Sequence, residues 1–199
     1  MLVYDIALVV HFLGLIGLFG GFILYHRVVP PLRGATTGKE ARPWLGLLAA
    51  TPPMHQGGLG FLLVSGLAMA YLRWQGVLPW MVVGLVGLVL IGSLTGGISG
   101  RWVKRVGREV DSASDGPLPN PLRALLSAST PRAATSAANG MALSLLWIMT
   151  GKPGWVGSFA VLAIAGAAGG WLGTLVARRQ PEGVAPRTAE VVGAHRGRA

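Results

Sequence analysis

The sequence predicts an all-α integral-membrane protein, a bundle of five transmembrane helices. Three observations predict it. Of its 199 residues, 52% are hydrophobic and only 12% are charged, about half the ~25% charged share of a soluble domain. The apolar residues gather in stretches that match a bilayer: at about 1.5 Å per residue, a hydrocarbon core ~30 Å thick needs roughly 20 of them. The Lys and Arg residues, finally, are sorted between alternate connections. With no Cys, disulfides, thiolate metal sites and Cys nucleophiles are excluded.

The first stretch runs from Val3 to Tyr25, with His11 inside it. It lacks a basic leader and is too long for a cleaved signal, so it reads as a retained helix. The second runs from about His55 to Leu72 and the third from Pro79 to about Gly100. The fourth, Ala133 to Thr150, is diluted by Thr135, Ser136 and Asn139, and the fifth runs from Trp155 to Ala177. Residues 1–179 form one transmembrane domain, with helices at about 3–25, 55–72, 79–100, 133–150 and 155–177. The polar tail, 180–199, is expected to be disordered and cytoplasmic.

The charges orient the bundle. Of 17 Lys and Arg residues, only Arg73 and Lys152 fall on one side; the others flank the first helix's end, the third–fourth connection and the tail. Basic residues stay cytoplasmic, so the N-terminus lies outside and the C-terminus inside a cytoplasmic (inner) membrane. Trp74, Trp80 and Trp155 mark the outer boundary, Trp44 and Trp102 the inner one, as amphipathic indoles do. The net charge of +10 therefore reflects topology and attraction to anionic lipid head groups. No nucleic-acid-binding face accompanies it.

The connections are read next. Arg73–Leu78 and Gly151–Gly154 are short and make their helices antiparallel neighbours. Pro43–Ala50 reads as an interfacial segment before Pro52-Pro53. Arg101–Val110 extends the third helix into the cytosol, and Leu122–Ser129 reads as a short surface helix.

Small residues hold helices together in lipid. Gly17 and Gly21, then Gly92, Gly96 and Gly100, then Gly166 and Gly170, with Gly169 and Gly173, recur at spacings of four. They suit packing within the bundle or a homodimer face. On the first helix, Tyr4, Ala7, His11, Gly14, Leu18, Gly21 and Tyr25 share one face. That face turns to protein; Leu8, Val9, Phe12, Leu13, Ile16, Phe19, Phe22 and Ile23 turn to lipid.

Two places carry candidate chemistry. An intramembrane histidine needs a partner, so His11 either bonds across helices or binds a cofactor such as haem b or copper. Near the inner boundary, His26 ends the first helix and Met54 and His55 begin the second. The two histidines suit a haem, and His26, Met54 and His55 together suit copper. The other reading places them simply among head groups. No intramembrane carboxylate serves a pump, and no phosphate loop, HExxH or GxSxG motif occurs.

The segment Ala7–Arg27, ALVVHFLGLIGLFGGFILYHR, and the run Leu145–Trp155, LLWIMTGKPGW, resemble a small bacterial multi-pass integral-membrane family of unknown function. The first segment is more loosely similar to CopD-type copper-resistance and HemJ-type haem-synthesis proteins. The CopD likeness implies copper handling, and the HemJ likeness a haem ligand at His11. The residues themselves favour a non-enzymatic accessory or assembly protein, a homo-oligomer or a subunit of a membrane complex. The alternatives are a haem-b or copper redox protein and a small-molecule carrier.

Overall fold

A computed structural model describes residues 2–74 and 76–179; the expected disordered tail, 180–199, lies outside them. Of the described residues 89% are helical, and none forms a strand. The helices are α1 (Leu2–Gly34), α2 (Gly38–Ala49), α3 (Thr51–Arg73), α4 (Pro79–Gly92), α5 (Gly100–Ser112), α6 (Asn120–Ser127), α7 (Thr130–Gly151) and α8 (Trp155–Arg179). A π-helical turn, Ser93–Ser99, joins α4 to α5 without a break. Three segments are long and apolar enough to cross a membrane: Leu2–Gly34, Pro79–Ser112 and Trp155–Ala177. Their outward sides leave Val9, Phe12, Ile16, Val89, Ile164 and Trp171 exposed, an apolar area that lipid would cover and water would penalise.

The five long helices run antiparallel in chain order. On α1 and α3, the pairs Tyr4–Arg73, His11–Ser65 and Gly21–His55 run in opposite senses. On α7 and α8, Gly140 meets Ala165 and Gly173 meets Ser136. Between these two pairs lies α4 with its π turn, where Gly87 meets Leu145 of α7 and Gly96 meets Gln56 of α3.

Glycine decides how near the helices come. A Cβ on Gly58 would lie 2.6 Å from Leu18 N and 2.8 Å from Gly14 O, so α1 and α3 touch backbone to backbone. Gly17 sits against Gly58, Gly21 against His55, Gly92 against Leu59, Gly96 against Gln56, Gly100 against Pro52, Gly166 against Met141 and Gly170 against Ala137. Each of these glycines faces another helix of the same chain, the geometry that permits close approach in lipid.

The core has two parts. Within the bundle, Leu18, Phe22, Leu62, Val83, Ile91, Ala142, Ile148 and Leu162 are buried. At the end holding residues 25–32 and 102–110 lies a second core. There Val28, Val29 and Leu32 of α1, Leu45 and Leu48 of α2, Trp102, Val106 and Val110 of α5, and Leu122 and Leu126 of α6 pack together. This cap was not foreseen from sequence. The Pro43–Ala50 segment is the C-terminal part of α2, whose buried face is Gly38, Ala41, Leu45 and Leu48. Pro52 and Pro53 occupy the first turn of α3, where a missing N–H costs no helical bond. The α1–α2 link pairs with the loop before α6 through Gly38 N to Gly116 O and Leu118 N to Thr36 O, both 3.0 Å.

Candidate functional site

His11 is half-buried on α1, and its Nδ1 lies 3.0 Å from Ser65 Oγ of α3. Ser65 Oγ also donates to Phe61 O at 2.5 Å, so the hydroxyl ties its own helix and the imidazole together. His11 thus has a polar partner on the neighbouring helix.

The larger polar assembly lies where α1, α3, the π turn and α7 meet the cap. His55 is 2% exposed and its ring meets Phe22 at a tilt of 47°, with centroids 4.6 Å apart. Phe22, read in sequence as facing lipid, instead lies 1% exposed beneath that ring. The buried face of α1 widens here because His55 of α3 covers Phe22 and the rest of the bundle core packs with it. The His55 Nε2 has no hydrogen-bond partner and lies 2.8 Å from where a Gly21 Cβ would stand.

Around it the polar groups are mostly paired. Gln56 Nε2 donates to Gly92 O and Thr95 Oγ1, both at 3.4 Å. The π turn places Ser99 Oγ 2.7 Å from Thr135 Oγ1 of α7, and Ser99 also donates to Pro131 O at 3.2 Å. Tyr25 lies beside Thr135, Arg33 and Arg132, yet its hydroxyl makes no well-formed hydrogen bond. Arg132 is buried in protein, 8% exposed, although a loop basic residue was expected there. Trp102, placed at a lipid boundary by sequence, lies instead inside the cap and donates its Nε1 to Leu125 O at 2.9 Å.

Of the remaining members of the sequence-derived set, His26 lies near enough to His55 to act on its charge. Met54 rests its methyl against Gly20. His26, half-buried, packs edge-on to Tyr25 with centroids 5.6 Å apart and lines a different space from the one His55 fills. That space is an open groove of about 590 Å3 walled by His26, Ser136, Asn139, Gly140, Leu143 and Ala165, among others. Among the described residues, no three His, Asp or Glu side chains converge on one point. A second open cleft of about 660 Å3 lies between α5 and α6, bounded by Arg105, Arg108, Glu109 and Leu125.

Tyr25, Ser65, Arg132 and Thr135 were missed as site residues by sequence reasoning. The visible signal was the polar run Thr135, Ser136 and Asn139 within an otherwise apolar helix, read only as dilution. No protein-family model, characterised protein or solved structure matches the chain.

Proposed function

We propose that this chain crosses a cytoplasmic (inner) membrane five times, N-terminus outside and C-terminus inside, and serves as a non-catalytic accessory or assembly protein. The transmembrane helices would act as staves for a folded basic platform on the cytoplasmic face. The observation that carries the reading is the second hydrophobic core. A chain that needed only a bundle would have no use for α2, α5 and α6 packed around the end of α1. Around that core Arg27, Lys39, Arg42, Arg101, Lys104, Arg105, Arg108 and Arg123 are exposed, suited to anionic head groups or an acidic partner.

Five crossings are supported by length and pairing. The two less apolar helices, α3 and α7, have 23 and 22 residues, about 33–35 Å at 1.5 Å per residue. Each lies antiparallel on a strongly apolar helix, α3 on α1 and α7 on α8, which shelters its polar side. The His11–Ser65 bond supports a structural role for the intramembrane histidine.

Reporters fused to each terminus test the topology; ends found in the same compartment would overturn it. Absorption spectroscopy and metal analysis of protein purified in mild detergent test the role. The expected protein is colourless, free of stoichiometric copper, and stays so in His11→Ala. A Soret band lost on His→Ala substitution would replace this reading with a haem protein.

A further inference from the structure

We propose that the cleft between α5 and α6 binds the phosphoethanolamine head group of an inner-leaflet phospholipid, with Arg105 and Arg108 on its phosphate and Glu109 on its ammonium. The inference rests on the reading that α4 carries the chain across the bilayer and that α5 emerges on the cytoplasmic face. At about 660 Å3, the cleft falls within the range of about 300–1,000 Å3 of small-molecule sites.

Helix α5 has two faces. Trp102, Val103, Val106 and Val110 are buried in the cap core, while Arg105, Arg108 and Glu109 are exposed and wall the cleft. Residues three and four apart on a helix are neighbours, with Cβ atoms about 5–6 Å apart, so Arg105 adjoins both Arg108 and Glu109. That spacing allows Arg105 and Glu109 to pair with each other. Yet among the described residues neither arginine nor the Glu109 carboxylate takes part in a hydrogen bond or an ion pair. Other acids of the cap are engaged: Asp115 holds Arg42 and Glu40 is tied to Thr36. Ser112 is satisfied within α5, donating to Glu109 O at 3.1 Å. Two cations and one anion therefore border the same space with nothing between them.

The level of the cleft points to a lipid head. Helix α4, the π turn and α5 continue without a break. Roughly 20 residues from Pro79 span the hydrocarbon, ending near Ile98, and Arg105 lies about 10 Å further on. Helical side chains tilt toward the N-terminus, here back toward the bilayer, so the long arginine stems carry their charges to the head-group layer. The facing wall rises from the same level. Leu125 O accepts from Trp102 Nε1 at 2.9 Å, and α6 ends at Ser127, just before α7 begins at Thr130. Pro121 and Leu125 make this wall apolar, which suits the glycerol end of a lipid.

The three charges select the head. Guanidinium groups donate to phosphate oxygens in paired bonds, and an ethanolamine ammonium donates to the Glu109 carboxylate. Phosphatidylglycerol offers hydroxyls there and leaves Glu109 facing a phosphate with no cation between them. The quaternary nitrogen of phosphatidylcholine has no N–H to give. An acidic peptide sets its carboxylates against Glu109, and free phosphoethanolamine lacks the part that meets Pro121 and Leu125.

The test uses the full chain, stripped of lipid by detergent washing and examined by native mass spectrometry. Phosphatidylethanolamine, phosphatidylglycerol or phosphatidylcholine of matched acyl chains is added, with free phosphoethanolamine as competitor. One phosphatidylethanolamine is expected to bind at least fivefold more tightly than either other lipid, with phosphoethanolamine not displacing it. Arg105→Gln/Arg108→Gln should weaken it tenfold or more. Glu109→Gln should leave phosphatidylglycerol binding as well as phosphatidylethanolamine, abolishing the preference. If the double variant loses its helical circular dichroism, Glu109→Gln alone decides. Arg101→Gln/Lys104→Gln, on α5 but outside the cleft, should leave the preference unchanged. The proposal fails if the three lipids bind alike, if the cleft variants behave like the parent, if phosphoethanolamine displaces the lipid, or if the preference follows Arg101 and Lys104. Head-group preference in detergent is read separately from terminus reporters, so a wrong topology and a wrong lipid site give different results.

Discussion

The Lys152 ammonium stands 4.6 Å from the ring centroid of Trp74 and 5.8 Å from that of Trp80. The two indoles meet edge to face at 5.4 Å. One cation thereby joins the α7–α8 link to the α3–α4 link at the end of the bundle away from the cap. Lys152 also caps α7 in the left-handed region, at φ 47°. Two opposing effects follow. A non-glycine residue there costs roughly 1–2 kcal/mol, while a cation–π contact returns about 0.5–2 kcal/mol. Lys152→Ala keeps the strain and loses the contact, so it should destabilise by about 1 kcal/mol. Lys152→Gly loses both and should remain near the parent. Thermal unfolding in mild detergent checks the order; Lys152→Ala as stable as the parent would mean the contact contributes nothing, and Lys152→Ala as stable as Lys152→Gly would mean the left-handed backbone costs nothing.

The α1–α3 contact makes a sharper forecast. At Gly58 an added methyl meets Leu18 N at 2.6 Å and Gly14 O at 2.8 Å, backbone atoms that cannot rotate away. Gly58→Ala should cost about 1–3 kcal/mol through forced helix separation. Two residues on, Gly60 meets nothing within 4 Å, so Gly60→Ala should gain roughly 0.5–1 kcal/mol from helix propensity. Equal behaviour of the two in detergent unfolding would show that α1 and α3 are not in backbone contact.

Much of this contact was legible in the sequence. The periodicity that joins Ala7, His11, Gly14, Leu18, Gly21 and Tyr25 is local, and a face can be read from spacing alone. Phe22 was not legible, because what turns it inward is His55, 33 positions away. The cap was illegible for the same reason: Leu32, Leu48, Trp102 and Leu122 come from four segments distant in sequence, and nothing local in an interfacial segment, a helix extension or a short surface helix says that they pack together. Pro30 and Pro31 also hid the length of α1, which continues through them to Gly34 even though proline in a helix interior normally ends it. At the site, His11 and His55 were visible as residue types. Their partners were not, because a hydrogen bond to Ser65 or a ring contact with Phe22 depends on which helices pack together.

The His11–Ser65 bond should be worth little in isolation. Interhelical polar pairs in membranes average about 0.6 kcal/mol in double-mutant cycles. Ser65 keeps its bond to Phe61 O when His11 is removed, whereas Ser65→Ala leaves the imidazole without this partner. The cycle His11→Ala, Ser65→Ala and the double variant should give a coupling of about 0.6 kcal/mol by unfolding in detergent. A coupling of several kcal/mol would point to a role beyond holding two helices.

Glu40 opens α2 under unusual hydrogen bonding. Its carboxylate accepts from the Thr36 backbone N–H at 2.9 Å and the Thr36 hydroxyl at 3.0 Å, and these bonds hold its pKa below the ordinary 4.5. The sign follows from the ionised form being the one stabilised. The contribution is complete above the ordinary value and disappears as pH falls through the lowered one. Carbon-13 NMR of the Glu40 carboxyl should therefore show a midpoint below 4.5, and Thr36→Val should raise it. A midpoint at or above 4.5 in the parent would mean that the cap does not form.

Within the platform, Trp102 should matter far more than the ion pair at its rim. Its ring is 5% exposed, lies 6.3 Å from Tyr25, and its Nε1 fixes Leu125 O at 2.9 Å. Removing so large a buried side chain costs about 3–5 kcal/mol, so Trp102→Ala should detach α6 and expose Leu122 and Leu126. Trp102→Phe keeps most of the packing but leaves the Leu125 carbonyl unpaired, a loss of about 1 kcal/mol. Arg42 and Asp115 pair on the surface, with side chains 42% and 70% exposed. Exposed pairs are worth about 0–1 kcal/mol, so Asp115→Asn should be nearly silent. Hydrogen exchange of the amides in residues 120–127 discriminates: fast exchange in Trp102→Ala with protection kept in Asp115→Asn is expected. The reverse order would show that the α5–α6 junction is held by its surface charges and not by the core built on α1.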